Sequence, residues 1–227
     1  MNSTPTAKVD QKTGHLATLV YRLRQDIDLY RVVGLNAAAI KKYGISQAFW
    51  GQVQMHAHES VSLTVCKIFE AEKRNDLNSI PGIIGALPES VTAIQRARVE
   101  AFGRTYGVTS SCVAVRPYLN GVYAVFTAGV DEALEMLKTY RDQYGAHSQY
   151  RPTPMPSGPS LDEFECIFDF AYRFYCLARE HFADTSPALM GRHVGFGTTK
   201  VLEQLGIRKP KFDFPPKKAT DGARPAG

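Results

Sequence analysis

From Ser160 to Phe182 the apolar residues recur at alternating steps of three and four. Leu161, Phe164, Phe168, Ala171, Tyr175, Ala178 and Phe182 form one stripe, and Ile167, Phe170, Phe174 and Leu177 lie beside it. Only an α-helix brings such a series to one side, and the doubled stripe predicts a helix over 161–183 that is apolar across a wide arc. One lateral neighbour cannot cover so broad a face. The helix belongs at the centre of a bundle, or in a bundle that also meets a partner chain. Ser160-Leu-Asp-Glu163 has the pattern of a capping box, in which the serine oxygen and the glutamate carboxylate satisfy amides that the first turn leaves unpaired.

The same periodicity predicts a long helix over 46–74 carrying Trp50, Val53, Ala57, Val61, Thr64, Val65 and Ile68. An earlier one over 15–33 carries Leu16, Leu19, Leu23, Ile27 and Tyr30, and shorter ones fall near 90–105 and 131–144. Pro81, Gly82, Gly85 and Pro88 punctuate the chain before residue 90. Residues 111–127 fit a small hairpin turning at Asn120-Gly121, with Val113, Val115, Val122, Val125 and Phe126 on its arms, or a helix if the neighbourhood overrides β-propensity. Arg151–Pro159 holds four prolines in nine residues and reads as a loop. The expected organisation is a flexible segment 1–14, a mainly α-helical domain 15–206, and a basic Pro/Lys-rich tail 207–227.

At 227 residues, 44% apolar and 22% charged, the chain has the composition of one ordinary globular domain with a core of its own. No apolar run approaches the ~18–20 residues a bilayer span needs. Met1–Gly14 is polar and lacks the apolar stretch of a secretion signal, so the expected compartment is the cytoplasm. The net charge of +5 is concentrated in residues 207–227, where six Lys/Arg face Asp213 and Asp221, a local excess of four. The body is nearly neutral, which argues against nucleic-acid binding by bulk charge and leaves room for a local patch. Cys66, Cys112, Cys166 and Cys176 fall at no metal-ligand spacing, and Cys66, Cys166 and Cys176 sit in apolar helical patterns. They read as buried, reduced thiols.

One position breaks its stripe. Val130, Leu134, Leu137, residue 141 and Tyr144 step by four and three, and residue 141 is arginine. A guanidinium cannot shed its charge, so on an apolar face it needs an anion, and its planar donor fork suits a carboxylate or a phosphate. Gly145 loosens the helix end, which lets His147 turn back toward Arg141. Asp142 follows the arginine directly. The plainer alternative is that Arg141 pairs with Glu59 or Asp142 and that His147 is a surface residue.

Other candidates read as structural. In His56-Ala-His58-Glu59 the two histidines are roughly 200° apart on a helix, so they cannot share a metal ion. His56 lies on a stripe with Phe49, Val53, Ser60 and Leu63, which predicts a hydrogen-bonded core histidine. Arg192-His193, among Gly191, Gly195 and Gly197, reads as a turn, and Arg96, Arg98 and Arg104 as solvated cations or an RNA-facing patch.

Arg141-Asp142-Gln-Tyr-Gly-Ala-His147, an arginine and a histidine separated by five residues, resembles the signature of the HEPN superfamily. Cys66-Lys-Ile-Phe69-Glu-Ala-Glu-Lys-Arg74 with Ser79-Ile-Pro81 is similar to a helix end of its abortive-infection AbiU-type branch, and the likeness extends over roughly residues 15–185. The resemblance implies a HEPN-like antiparallel bundle and a metal-independent endoribonuclease with no cofactor. Its composite site would lie at a homodimer interface, to which the broad face of helix 161–183 would contribute. Arg141 and His147 would be catalytic, Asp142 would orient them, and Tyr144 and Tyr150 would line the cleft or stack on a base. A toxin role in phage defence, RNA as substrate, a cognate antitoxin or defence-system partner and no membrane association follow from the same likeness. The alternatives are a non-catalytic HEPN module binding RNA, nucleotide or a protein, and a purely structural dimerisation domain.

Overall fold

The computed structural model describes residues 5–42, 47–71, 77–142, 158–183 and 185–187. Among these there are eight helices and no strand: α1 (Pro5–Leu35), α2 (Ala37–Lys42), α3 (Gln47–Phe69), α4 (Ile80–Ala86), α5 (Ala93–Thr105), α6 (Val115–Gly129), α7 (Asp131–Tyr140) and α8 (Leu161–Phe182). The chain is therefore a mainly α-helical bundle. None of the described helices is long and apolar enough to cross a membrane.

α8 follows the sequence closely. Ser160 Oγ accepts from the Glu163 amide while Glu163 returns to the Ser160 amide, the capping box the residues predict. Phe164, Ile167, Phe170, Ala171, Phe174, Tyr175, Leu177, Ala178 and Phe182 are all buried. α1 covers one side of this arc, α5 another, and α4 a third. Both stripes are thus used inside the chain, and the arc's width alone no longer calls for a partner chain. Part of the core is aromatic: Phe126 of α6 stacks on Phe170 of α8 with centroids 3.9 Å apart.

α1 is the spine, packing on both α3 and α8. It begins at Pro5, so residues 5–14 are helical rather than the flexible lead expected of 1–14. Val9 and Thr13 are buried, Lys12 donates to the Leu77 carbonyl, and Arg179 near the end of α8 bonds Asp10 at 2.8 Å and Thr13 at 3.1 Å. Those tertiary contacts hold a stretch that looks too polar to order itself. α2 carries no strong sequence signal; Ile40 seats it on a small satellite core with Val32, Val33 and Trp50. Helix 131–144 ends its regular turns at Tyr140, and helix 46–74 is described from Gln47 to Phe69.

The hairpin alternative for 111–127 is overturned. Val115, Tyr118, Leu119, Val122 and Phe126 are buried at helical spacing, whereas Val113 is 86% exposed although a strand would put it on the same face as Val115. Asn120-Gly121, the supposed turn, sits exposed in the middle of α6. An internal glycine costs a helix about 1 kcal/mol, less than one large side chain gains on burial. The punctuated stretch before residue 90 holds α4. Ser79 Oγ caps it by accepting from the Gly82 amide, Pro81 occupies the first turn where its missing N–H costs nothing, and Ile80, Ile83 and Ile84 enter the core.

Two further readings need correction. All four cysteines are free thiols, but only Cys112 is buried; Cys66 and Cys176 are half-buried, and Cys166 is exposed because the wide arc of α8 stops short of it. His56 is also exposed, lying 3.4 Å from Glu59, and it is His58 that enters the core.

Candidate functional site

The end of α7 is built by its apolar side. Ala133, Leu137 and Tyr140 are buried against the bundle, which places Arg141 one step round the helix at the margin of that face. Arg141 keeps helical backbone angles (φ −54°, ψ −49°), and its side chain is 28% exposed. Its Nε donates to Asp142 Oδ1 at 2.7 Å. Its Nη atoms make no hydrogen bond to any described residue. The guanidinium is thus tethered by one edge, with its fork uncommitted among the described residues. Of the two anions named for it, Asp142 is the partner and Glu59 is not.

Arg141 lines a cleft of about 360 Å³ between the end of α3, the length of α7 and one face of α6. Phe69, Tyr123 and Leu134 give it apolar walls, and Glu70, Asp131, Glu135 and Lys138 carry its other charges. Tyr123 Oη donates to the Phe69 carbonyl at 2.7 Å, fixing one wall, and burial pushes that phenol up to about 12. It stays a neutral donor at physiological pH. Burial also raises the Cys66 thiol against the opposing pull of Arg141, so this cysteine is no ready nucleophile. Lys138 is engaged by Glu135 at 2.9 Å. Three carboxylates therefore face two cations, both already tied to acids.

His58 stands behind this helix end. It is 8% exposed, and its ring meets the Tyr140 ring edge-on with centroids 4.6 Å apart. Tyr30 and Phe164 close two other sides, at 5.9 and 6.0 Å. Neither ring nitrogen has a hydrogen-bond partner among the described residues. A Cβ on Gly158 would lie 2.5 Å from Nε2, so only glycine lets the chain entering α8 pass this close. The signal was present in the sequence. His58 is three and seven residues before Val61 and Val65, on the stripe that 46–74 was read to bury.

His147, Tyr144 and Tyr150 lie outside the described residues, as do Arg192-His193 and the tail. Arg96, Arg98 and Arg104 are exposed on α5, and none of them forms an ion pair with a described carboxylate. Among the described residues no group of three or more His, Cys, Asp or Glu is placed to hold a metal ion. No protein-family model, curated protein or solved structure matches the chain.

Proposed function

We propose that the chain is a metal-independent endoribonuclease of the HEPN type, acting as a cytoplasmic homodimer and serving as a toxin or abortive-infection effector in phage defence. A cognate antitoxin or defence-system partner would hold it in check. The observation that carries this reading is the fork of Arg141, uncommitted among the described residues, in the lining of a cleft. Nε is spent on Asp142, which orients the plane, and the two Nη groups are left to meet a phosphate bidentately as negative charge builds on it. His147 enters on its place in the sequence, six residues after Arg141.

In the reaction a base removes the proton of the RNA 2′-hydroxyl, and that oxygen attacks the adjacent phosphorus. The P–O5′ bond breaks as an acid protonates the leaving oxygen, which gives a 2′,3′-cyclic phosphate and a 5′-hydroxyl. One imidazole cannot be base and acid in the same step, whereas two His147 side chains from a two-fold dimer can divide the roles. Incubating RNA with the purified protein in EDTA tests this. Cleavage is expected, falling about 10²–10³-fold in Arg141→Ala, the scale for losing one charge-stabilising donor, and at least as far in His147→Ala. Cleavage unchanged in both variants, or absent from the unaltered protein, overturns the reading.

A second reading has its own support. Glu70, Asp131 and Glu135 line the same cleft and would repel a polyanion, so a non-catalytic module that grips an acidic group of a partner protein through Arg141 also fits. Binding without RNA cleavage selects it.

A further inference from the structure

Buried polar groups in folded chains nearly always find partners, and an imidazole lacking them at both nitrogens is the kind of exception that responds to protons. His58 is such a group, and its position gives the response a structural target. The ring joins four parts of the bundle: its own helix α3, Tyr30 of α1, Tyr140 at the end of α7, and Gly158 with Phe164 at the start of α8. The titratable groups facing it are two phenols, Tyr30 and Tyr140. From α8 and its approach the neighbours are a phenyl ring and a glycine, and on α3 Ser62 Oγ is committed to the His58 carbonyl at 2.9 Å. Among the described residues no carboxylate waits to receive an imidazolium.

We propose that His58 is a proton-sensitive latch: the neutral ring closes the corner where α3 meets the end of α7 and the entry to α8, and protonation opens it. Among the described residues the charged ring has no counter-ion and no acceptor where it sits, so it leaves for water, and Tyr140 and Gly158 lose the surface they pack on. Burial holds the group below its ordinary value, and no charge on a described residue offsets it. The sign follows. An exposed His58 binds a proton near pH 6.5 and the buried one only at lower pH, so the closed form is favoured above that value and weakened as pH falls through the interval beneath it. Each pH unit within the interval shifts the balance by up to about tenfold. The inference is independent of the ribonuclease reading.

The test is an NMR titration of the full chain from pH 7.5 to 5, with amide protection factors measured alongside. The His58 ring resonance is the one missing from His58→Phe, or from His58→Gln should the first variant not fold. His58 is expected to titrate below 6.5. In step with it, protection should fall up to about tenfold per pH unit at the Arg141 amide, bonded to Leu137, and the Phe164 amide, bonded to Ser160 at 3.1 Å. The Ile83 amide, bonded to Ser79 at 2.9 Å deep in the core, should hold its protection. The non-titrating variant should keep the corner closed at pH 5. A His58 that titrates at or above the ordinary value, or stays neutral until the whole chain unfolds, overturns the proposal. So does corner protection that is unchanged through the titration, or that falls equally in the variant.

Discussion

Two of the helix junctions bury polar groups in opposite ways. Where α1 meets α8, Asp28 is 2% exposed and is gripped by Arg24 at 2.5 Å and Arg31 at 2.6 Å. Glu165 of α8 completes the set, 2.6 Å from Arg24 and 3.4 Å from Arg31. The Arg24 guanidinium also lies 5.1 Å over the Phe168 ring. Burial works to lower the Arg24 pKa, and Asp28 and Glu165 together outweigh it. Only Nε of Arg31 is left without a described partner. Where α3 meets α7 and α8, neither ring nitrogen of His58 has a polar partner among the described residues. The first junction is locked by mutual charge; the second is held by shape and depends on one proton staying away.

The contrast breaks most visibly at Asp28. Asp28→Asn keeps the shape and removes the anion between two partly buried guanidiniums, leaving only the more exposed Glu165 to face them. Removing one partner of a buried charge set costs about 3–5 kcal/mol, because the remaining charges stay desolvated. We expect a loss near the lower end, about 3 kcal/mol, since both arginines retain some solvent. Urea unfolding at pH 7.5 measures it. A loss no larger than the ~1 kcal/mol of an exposed pair would show that the junction is held by packing instead.

The second effect belongs to the other junction. Gly158→Ala places a methyl group 2.5 Å from His58 Nε2, where the ring is already confined by Tyr30, Tyr140 and Phe164. Overpacking of this kind costs typically about 1–3 kcal/mol. The double variant Gly158→Ala/His58→Ala should recover most of the added strain, because the clash needs the ring. Strictly additive losses in that cycle would place the strain elsewhere.

How far these features were legible depends on what each rests upon. The helical class and the course of α8 were readable because two apolar stripes and a capping box agree, and local chemistry alone suffices for both. Residues 111–127 misled because Val and Asn-Gly carry a local β-signal, while the deciding term, burial of Tyr118, Leu119 and Phe126 against α4 and α5, is tertiary. The start of α1 was hidden for the same reason: its anchors, Leu77 and Arg179, lie 65 and 169–166 positions along the chain. At the candidate site, the sequence puts Arg141 within an apolar stripe, and the structure moves the buried face to Ala133, Leu137 and Tyr140, which leaves Arg141 on its margin. His56 and His58 each sit on a plausible stripe; the one through Val61 and Val65 favours His58, and the packing of α7 and α8 shows that it is the covered one.

The smallest expected effect separates the junctions most sharply. His58→Phe replaces an unpartnered imidazole with an apolar ring in an aromatic surround, and removing a buried polar group that makes no hydrogen bond is close to neutral or stabilising. At pH 7.5 unfolding stability should change by less than about 1 kcal/mol. At pH 5 the unaltered chain has lost the part of its stability that depended on a neutral His58, while the variant has not, so the variant should be the more stable of the two. Asp28→Asn should show no such crossing, since its deficit comes from guanidiniums that stay charged throughout. Parallel stability curves for His58→Phe and the unaltered chain from pH 7.5 to 5 would mean that the two junctions respond to protons alike.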